Sequence, residues 1–407
     1  MGARLKAALE GLYGRAPRGM DLGLESIGAS CTRFGFPERS FSAVHIAGTN
    51  GKGSTSAMVE RVAREAGLKT GLYTSPHLHR FAERIRIDGE PIDDDTLAAI
   101  LSDVLAREPD LTFFEVATLT AFLAFREAKV DLAVLEVGIG GRLDATNIIP
   151  PPRAAAITRI AFDHQDKLGD TLPAIAREKA GIAKPGVDVI LGPMQPEVEA
   201  AIVEVAHDVG ATTSRAHELT AGVRIERIGL AGAHQEDNAR IAWAIGQRLG
   251  LAPDVIARGI ANVSWAGRLE RLDTPEGPVL LDAAHNPDGI EALAHQLAAW
   301  KLDPANLALV FGALADKAWP TMIDRIAPFA GTRIYVRPPS NSPRGPADPA
   351  DIAARHSGET AGSFEEALAL AHRRVPGGLV LVTGSIFLVG EARGKVLGIT
   401  GDPALAL

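Results

Sequence analysis

HIAGTNGKGST, residues 45–55, joins an apolar strand to a glycine-rich turn and then to a helix. AVHIAG (43–48) is the strand; Gly48, Gly51 and Gly53 surround Lys52; Ser54 and Thr55 open a helix that runs near 54–66, with Met58, Val62 and Ala66 four apart and Gly67 as its stop. Glycines let backbone N–H groups approach phosphate oxygens. The helix N-terminus adds partial positive charge, and Lys52 supplies a full charge for terminal phosphates. The spacing is not GxxxxGK[ST], because Gly48 lies too close to Lys52 and Gly53 follows it. The strand before and the helix after are the setting that phosphate binding requires.

Outward from this loop the apolar pattern keeps alternating between strand and helix. Residues 115–128 follow the helical period, and 171–184 are helical again with Thr171 as N-cap. VDLAVLEV (130–137) and RAAAITRIA (153–161) are continuous apolar runs, as in parallel strands buried on both faces. The pattern restarts after residue 265 with VLLDA (279–283), LALVFGA (307–313), TRIYVRP (332–338) and LVLVTGS (379–385). WAGRLERLDTPEGP (265–278) reads as a hinge, and RPPSNSPRGPADP (337–349) as a loop. The fold class is therefore α/β: a doubly wound, mostly parallel phosphate-loop domain over 1–264, then a smaller Rossmann-like α/β domain over 279–407.

In such sheets ligands bind beyond the carboxyl ends of the strands. Glu136 closes one strand there, and Asp163 and His164 follow another. Carboxylate, imidazole and hydroxyl groups beside a phosphate loop suit Mg²⁺, a hard cation that binds oxygen and phosphate. The 407-residue chain carries a net charge of −8, which disfavours nucleic acid as a partner. No apolar run reaches the roughly 18 residues of a membrane span. The single Cys31 excludes an intrachain disulfide and reads as structural. A monomeric cytoplasmic protein acting on small molecules is expected.

Taken together, GTNGKGS, YTSPHL (73–78), LEVGIGGRLDATN (135–147), DHQDKLGDTL (163–172), REKAGIAKPG (177–186), GRLE (267–270), LDAAHNP (281–287), FGALADK (311–317) and TGSIFLVGEAR (383–393) resemble the folylpolyglutamate synthase/dihydrofolate synthase family of the Mur-ligase superfamily. The landmarks stand in the family's order over nearly the whole chain. The resemblance implies ATP-dependent ligation of L-glutamate to a pterin acid through an acyl phosphate, with two Mg²⁺ and room for a monovalent cation. It implies a phosphate loop at Asn50, Gly51, Lys52, Gly53 and Ser54, with further ATP contacts at Asn238, Arg268 and Asp282. It implies one Mg²⁺ at Ser75 and Glu136, and a second at His164 and Lys179, the latter carboxylated on its ε-nitrogen. Thr112, Phe113, Phe114 and Glu115 fall where the pterin substrate is held; His285 and Ser385 fall toward nucleotide and glutamate. Lys52, Lys179 and His164 would then be the catalytic groups.

The chain departs from the family at Ala266, where proline is usual, at Ala283, often glycine, and at Gln165, often threonine. Several site residues also have a plain structural reading: Lys179 as an exposed helix lysine paired with Glu178 or a nearby acid, Arg268 as a surface ion pair, Asp282 as a helix cap before NPDG. Arg142 and Asp144 are expected to order their loop, and His77 and His79 to face solvent or stand behind the ligands. A Mur-type ligase for another acid, a non-catalytic nucleotide module and a simple kinase are the rival functions. The FFE segment (113–115) discriminates against the first; the second leaves Glu136, His164 and LDAAHNP without a purpose; the third would ignore glutamate.

Overall fold

The computed structural model describes residues 2–16, 23–339 and 345–402, so 340–344 of the Pro-rich loop lie outside the described residues. The chain divides into two units. The first comprises Met1–His77, Phe81–Gly229 and Gln235–Ser264; the second comprises Leu78–Arg80, Leu230–His234 and Trp265–Leu407.

The first unit is built on an eight-stranded sheet: β1 (Ser42–Ala47), β2 (Thr70–Tyr73), β3 (Ile85–Ile87), β4 (Glu90–Pro91), β5 (Leu132–Glu136), β6 (Ala154–Ile157), β7 (Asp188–Leu191) and β8 (Thr212–Arg215). Their order is β4-β3-β2-β5-β1-β6-β7-β8. The six strands from β2 to β8 in that order run parallel, and β3 and β4 form an antiparallel edge. Every residue of β5 and β6 is buried, which is why they read as unbroken apolar runs. The edge hairpin turns on Asp88 and Gly89, both at positive φ, as an Asp-Gly hairpin turn requires. This DG signal was legible in IRIDGEP but is too short-ranged to register in an apolar-period reading.

Two segments end earlier than their sequence pattern suggests. β6 stops at Ile157 because Thr158 onward turns to wrap the loop after β1: Thr49 N–H donates to the Arg159 carbonyl at 2.8 Å, and the Thr158 hydroxyl donates to the Asn50 carbonyl at 2.7 Å. The helix capped by Thr171 runs Leu172–Ala180 and stops at Gly181, which lies against Arg142 too closely for a side chain. Ile182 and Ala183 still join the core, which explains the longer apolar pattern.

The second unit holds a six-stranded sheet: β9 (Glu270–Thr274), β10 (Gly277–Leu281), β11 (Leu307–Phe311), β12 (Thr332–Val336), β13 (Glu359–Ala361) and β14 (Leu379–Thr383). The order is β13-β12-β11-β14-β10-β9, all parallel except β9. β9 lies inside the segment read above as a hinge. It is an edge strand with no fully buried residue, so its sequence lacks an apolar run. Its hairpin with β10 is closed by the Thr274 hydroxyl donating to the Gly277 carbonyl at 2.7 Å.

Candidate active site

The loop after β1 is shaped by close backbone and side-chain neighbours. Gly48 has φ +144°, and a Cβ there would stand 1.8 Å from the Thr158 hydroxyl oxygen. Gly51, at φ +90°, precedes the helix Lys52–Glu65, whose first turn has no side-chain cap. The first amides of that helix therefore remain for a ligand, and the helix dipole favours a negative one. Lys52 reaches back to donate to the Thr49 carbonyl at 3.0 Å. From the helix Gln235–Arg248, buried Asn238 accepts from the Thr55 hydroxyl at 3.3 Å and donates to the Gln235 side chain at 2.9 Å. A Cβ on Gly51 would come within 2.4 Å of Asn238 Oδ1. Asn238 thus braces the loop from a position 183 residues away from Thr55.

Glu136 ends β5 directly beside Ile46 of β1. It is buried, and one carboxylate oxygen accepts the Ser75 N–H at 3.2 Å. The two residues expected to share an ion are therefore neighbours. Lys179 is also buried, and its ammonium donates to the Gly48 carbonyl at 2.9 Å. Burial, and then the charge of Lys52, push its pKa down to about 7, while Asp163 and Asp144 pull the other way. The plain reading of Lys179 fails here: Glu178 pairs with Arg142 at 3.0 Å instead. His164 adopts φ +51°, is half-buried, and its N–H donates to the Asp163 carboxylate at 3.0 Å.

No group of three His, Cys, Asp or Glu side chains gathers into a metal cage among the described residues. Mg²⁺ keeps several waters and binds through one or two carboxylates plus substrate phosphate. Glu136 with Ser75 supplies such a partial donor set. Lys179 supplies a second only if an anionic group is added to its amine.

Asp144 orders the segment after Glu136. Its Oδ2 accepts the N–H groups of Gly138 and Ile139 at 3.0 Å each, and its Oδ1 accepts the Thr146 amide and hydroxyl at 3.0 and 2.5 Å. Burial raises its pKa and these bonds oppose the rise. Buried His45 lies behind it, 2.9 Å from the Thr146 hydroxyl, and burial pushes its pKa down to about 3.

In TFFE the residues divide by role. Thr112 and Glu115 form a capping box for the helix Phe113–Ala128, so their polar atoms bond to the helix end and to each other. The rings of Phe113 and Phe114 are half-buried. Phe114 packs near Tyr73 at 6.0 Å, over a Gly138 that leaves no room for a side chain. Phe113 joins Tyr13 and Phe81 in an aromatic cluster with His77 and a buried Arg84. Neither Tyr13 nor Arg84 stood out in the sequence, where Arg84 is one of many charged residues. His77 is not solvent-facing in the simple sense, since it accepts from Arg84 Nε at 2.8 Å.

In the second unit, Asp282 follows β10 and is buried. It accepts the Leu269 and Ala284 N–H groups at 3.1 and 3.0 Å. Burial raises its pKa, and the charges of Arg268 and His234 oppose this. It is not the helix cap, a role taken by Asn286, which accepts Gly289 N–H at 2.9 Å. Arg268 extends from the turn at Gly267, whose N–H donates to Glu270 and whose carbonyl accepts Ala283 N–H. His285 donates through Nδ1 to the Ala283 carbonyl at 2.9 Å. Ser385 caps the helix Ile386–Leu397.

Residues 46–189 match the Mur ligase middle domain, and residues 267–386 match the Mur ligase, glutamate ligase domain. Folylpolyglutamate synthase of Lacticaseibacillus casei is 36% identical over 400 residues, 89% of this chain and 92% of that protein. Among solved structures, E. coli FolC in complex with DHPP and ADP aligns with a TM-score of 0.86 at 30% identity, covering 97% of this chain and 98% of that one. The bifunctional folylpolyglutamate synthase/dihydrofolate synthase of Yersinia pestis, complexed with AMPPNP and Mn ion, gives the same score, identity and coverage.

Proposed function

We propose that this chain, which belongs to the folylpolyglutamate synthase/dihydrofolate synthase family, joins L-glutamate to a pterin-bearing carboxylic acid at the expense of ATP, releasing ADP and phosphate. The acceptor is dihydropteroate, a tetrahydrofolate, or both. The observation that carries the reading is the convergence, at the carboxyl end of one sheet, of the Gly48–Ser54 loop, the Glu136–Ser75 pair and the buried Lys179 amine on Gly48.

A carboxylate is a poor electrophile until its oxygen takes a phosphoryl group. Phosphoryl transfer asks for positioning and for neutralisation of charge, and the amine of glutamate then expels phosphate. In this reading Asn50, Gly51, Lys52, Gly53 and Ser54 hold the triphosphate through backbone amides and the Lys52 ammonium. Asn238 keeps the loop in place, and Arg268 and Asp282 bind the nucleotide. Ser75 and Glu136 hold one Mg²⁺, and His164 with a carboxylated Lys179 holds a second; the ions would neutralise charge on the phosphates. A pKa near 7 leaves much of Lys179 as the neutral amine that adds to carbon dioxide, which supports the modification. Phe113 and Phe114 offer their faces to the pterin acid, with Thr112 and Glu115 fixing the helix that carries them. His285 lies toward the nucleotide, and Ser385 serves the glutamate side. The reaction needs only small soluble partners, and we place the chain in the cytoplasm as a monomer.

The test is glutamate-dependent ADP release by the purified protein with ATP, Mg²⁺ and each acceptor in turn. Release that requires both acceptor and glutamate is the expected result. No release with either acceptor, or release indifferent to glutamate, refutes the reading.

A further inference from the structure

Arg84 is the last residue of the turn Phe81–Arg84 that leads into β3, and only 4% of its surface is exposed. Its Nε donates to His77 Nδ1 at 2.8 Å, which leaves the imidazole proton on Nε2, 3.3 Å from the Tyr13 hydroxyl. The guanidinium carbon lies 5.1 Å from the Phe113 ring centre and 5.7 Å from that of Phe81. Among the described residues no carboxylate pairs with Arg84, and its terminal N–H groups make no hydrogen bond. Desolvation disfavours its charge; Tyr73, Tyr13, Glu136 and Glu83 favour it only through space. Arginine nonetheless stays protonated in proteins.

A buried cation without a hydrogen-bonded anion is costly, and proteins rarely keep one without a use. Two aromatic faces and His77 hold this one in a fixed plane, with the fork of its terminal nitrogens left over. That fork matches a carboxylate. It lies beside Phe113, on the helix proposed to face the pterin acid, and within the electrostatic reach of Glu136.

We propose that Arg84 receives the spectator carboxylate of an acceptor that already carries glutamate, and so decides how well the site accepts a folate relative to a pterin acid with a single carboxylate. This rests on the ligase reading above. Dihydropteroate has one carboxylate, the one that reacts. A folate extended at its γ-carboxylate has a second, the α-carboxylate, that takes no part in the chemistry and needs a counter-charge when it is buried. Arg84 is thus a specificity-determining residue, and His77 positions it.

The test compares the two acceptors in Arg84→Met and Arg84→Lys. Losing a charge-assisted bidentate contact lowers kcat/KM by roughly 100-fold. The loss on tetrahydrofolate should exceed the loss on dihydropteroate by about 30-fold or more in Arg84→Met, with Arg84→Lys intermediate. A second arm leaves the protein unaltered: the nucleotide-loaded enzyme should bind tetrahydrofolate about tenfold or more tighter than its α-amide, and Arg84→Met should erase that preference. Equal losses on both acceptors, equal binding of acid and amide by the unaltered protein, or an unaltered protein active on dihydropteroate alone overturns the assignment. Failure of the ligase reading has a different signature, the absence of glutamate-dependent ADP release with either acceptor.

Discussion

Replacing Gly51 by alanine separates the two costs that a phosphate loop imposes on its glycines. At φ +90° an alanine sits in the left-handed region, which costs roughly 1–2 kcal/mol. Its Cβ would also lie 2.4 Å from Asn238 Oδ1 and 3.2 Å from Asn238 Cγ. Ordinary contact needs about 3.5 Å, so loop and asparagine must part by about 1 Å. Because Asn238 is tied to Thr55 and Gln235, the loop gives way rather than the brace. A displacement of that size at groups that position a reacting phosphate costs about 100-fold in rate. Gly67→Ala is the matched control: it sits at φ +80°, with no atom within 4 Å of the added carbon. Both variants should lose the stability cost of the left-handed conformation by calorimetry, with a further loss in Gly51→Ala from the close contact, but only Gly51→Ala should lose about 100-fold in kcat/KM for ATP, read as glutamate-dependent ADP release. Parent-like kinetics in Gly51→Ala, or an equal kinetic loss in Gly67→Ala, would show that the close approach to Asn238 does not set the loop.

Lys52→Ala should lower turnover by roughly 100- to 1,000-fold while its circular-dichroism spectrum stays that of the parent; normal activity removes the role assigned to this ammonium. Lys179 predicts a pH effect with a definite sign. Between about pH 7 and its ordinary value of 10.5, the unfolded chain holds a proton on this amine that the folded chain has released, so this group makes stability rise with pH across that window. In metal-free, bicarbonate-free buffer Lys179→Met should lose that part of the slope, and identical slopes would show that the amine is not desolvated. Asp144→Ala strands the amides of Gly138, Ile139 and Thr146. Denaturant unfolding should show a loss of roughly 2–4 kcal/mol, and a loss below about 0.5 kcal/mol would mean that water reaches those groups.

What the sequence alone determined is local in range. Strand, glycine turn, lysine and helix in residues 45–55 announce a phosphate loop, because glycine at positive φ and an uncapped helix end are properties of a few consecutive residues. The continuous apolar runs of β5 and β6 announce a parallel sheet, because strands buried on both faces have no polar side to show. The tertiary structure decided the rest, because burial and partnership are set by residues far apart in the chain. Lys179 is an ordinary helix lysine until folding aims it at a carbonyl 131 residues away and removes its water. Edge strand β9 reads as a connection because only its partner β10 makes it a strand. Arg84 is one charge among many until packing encloses it between two aromatic rings, with His77 on its Nε, leaving its fork to an anion from outside.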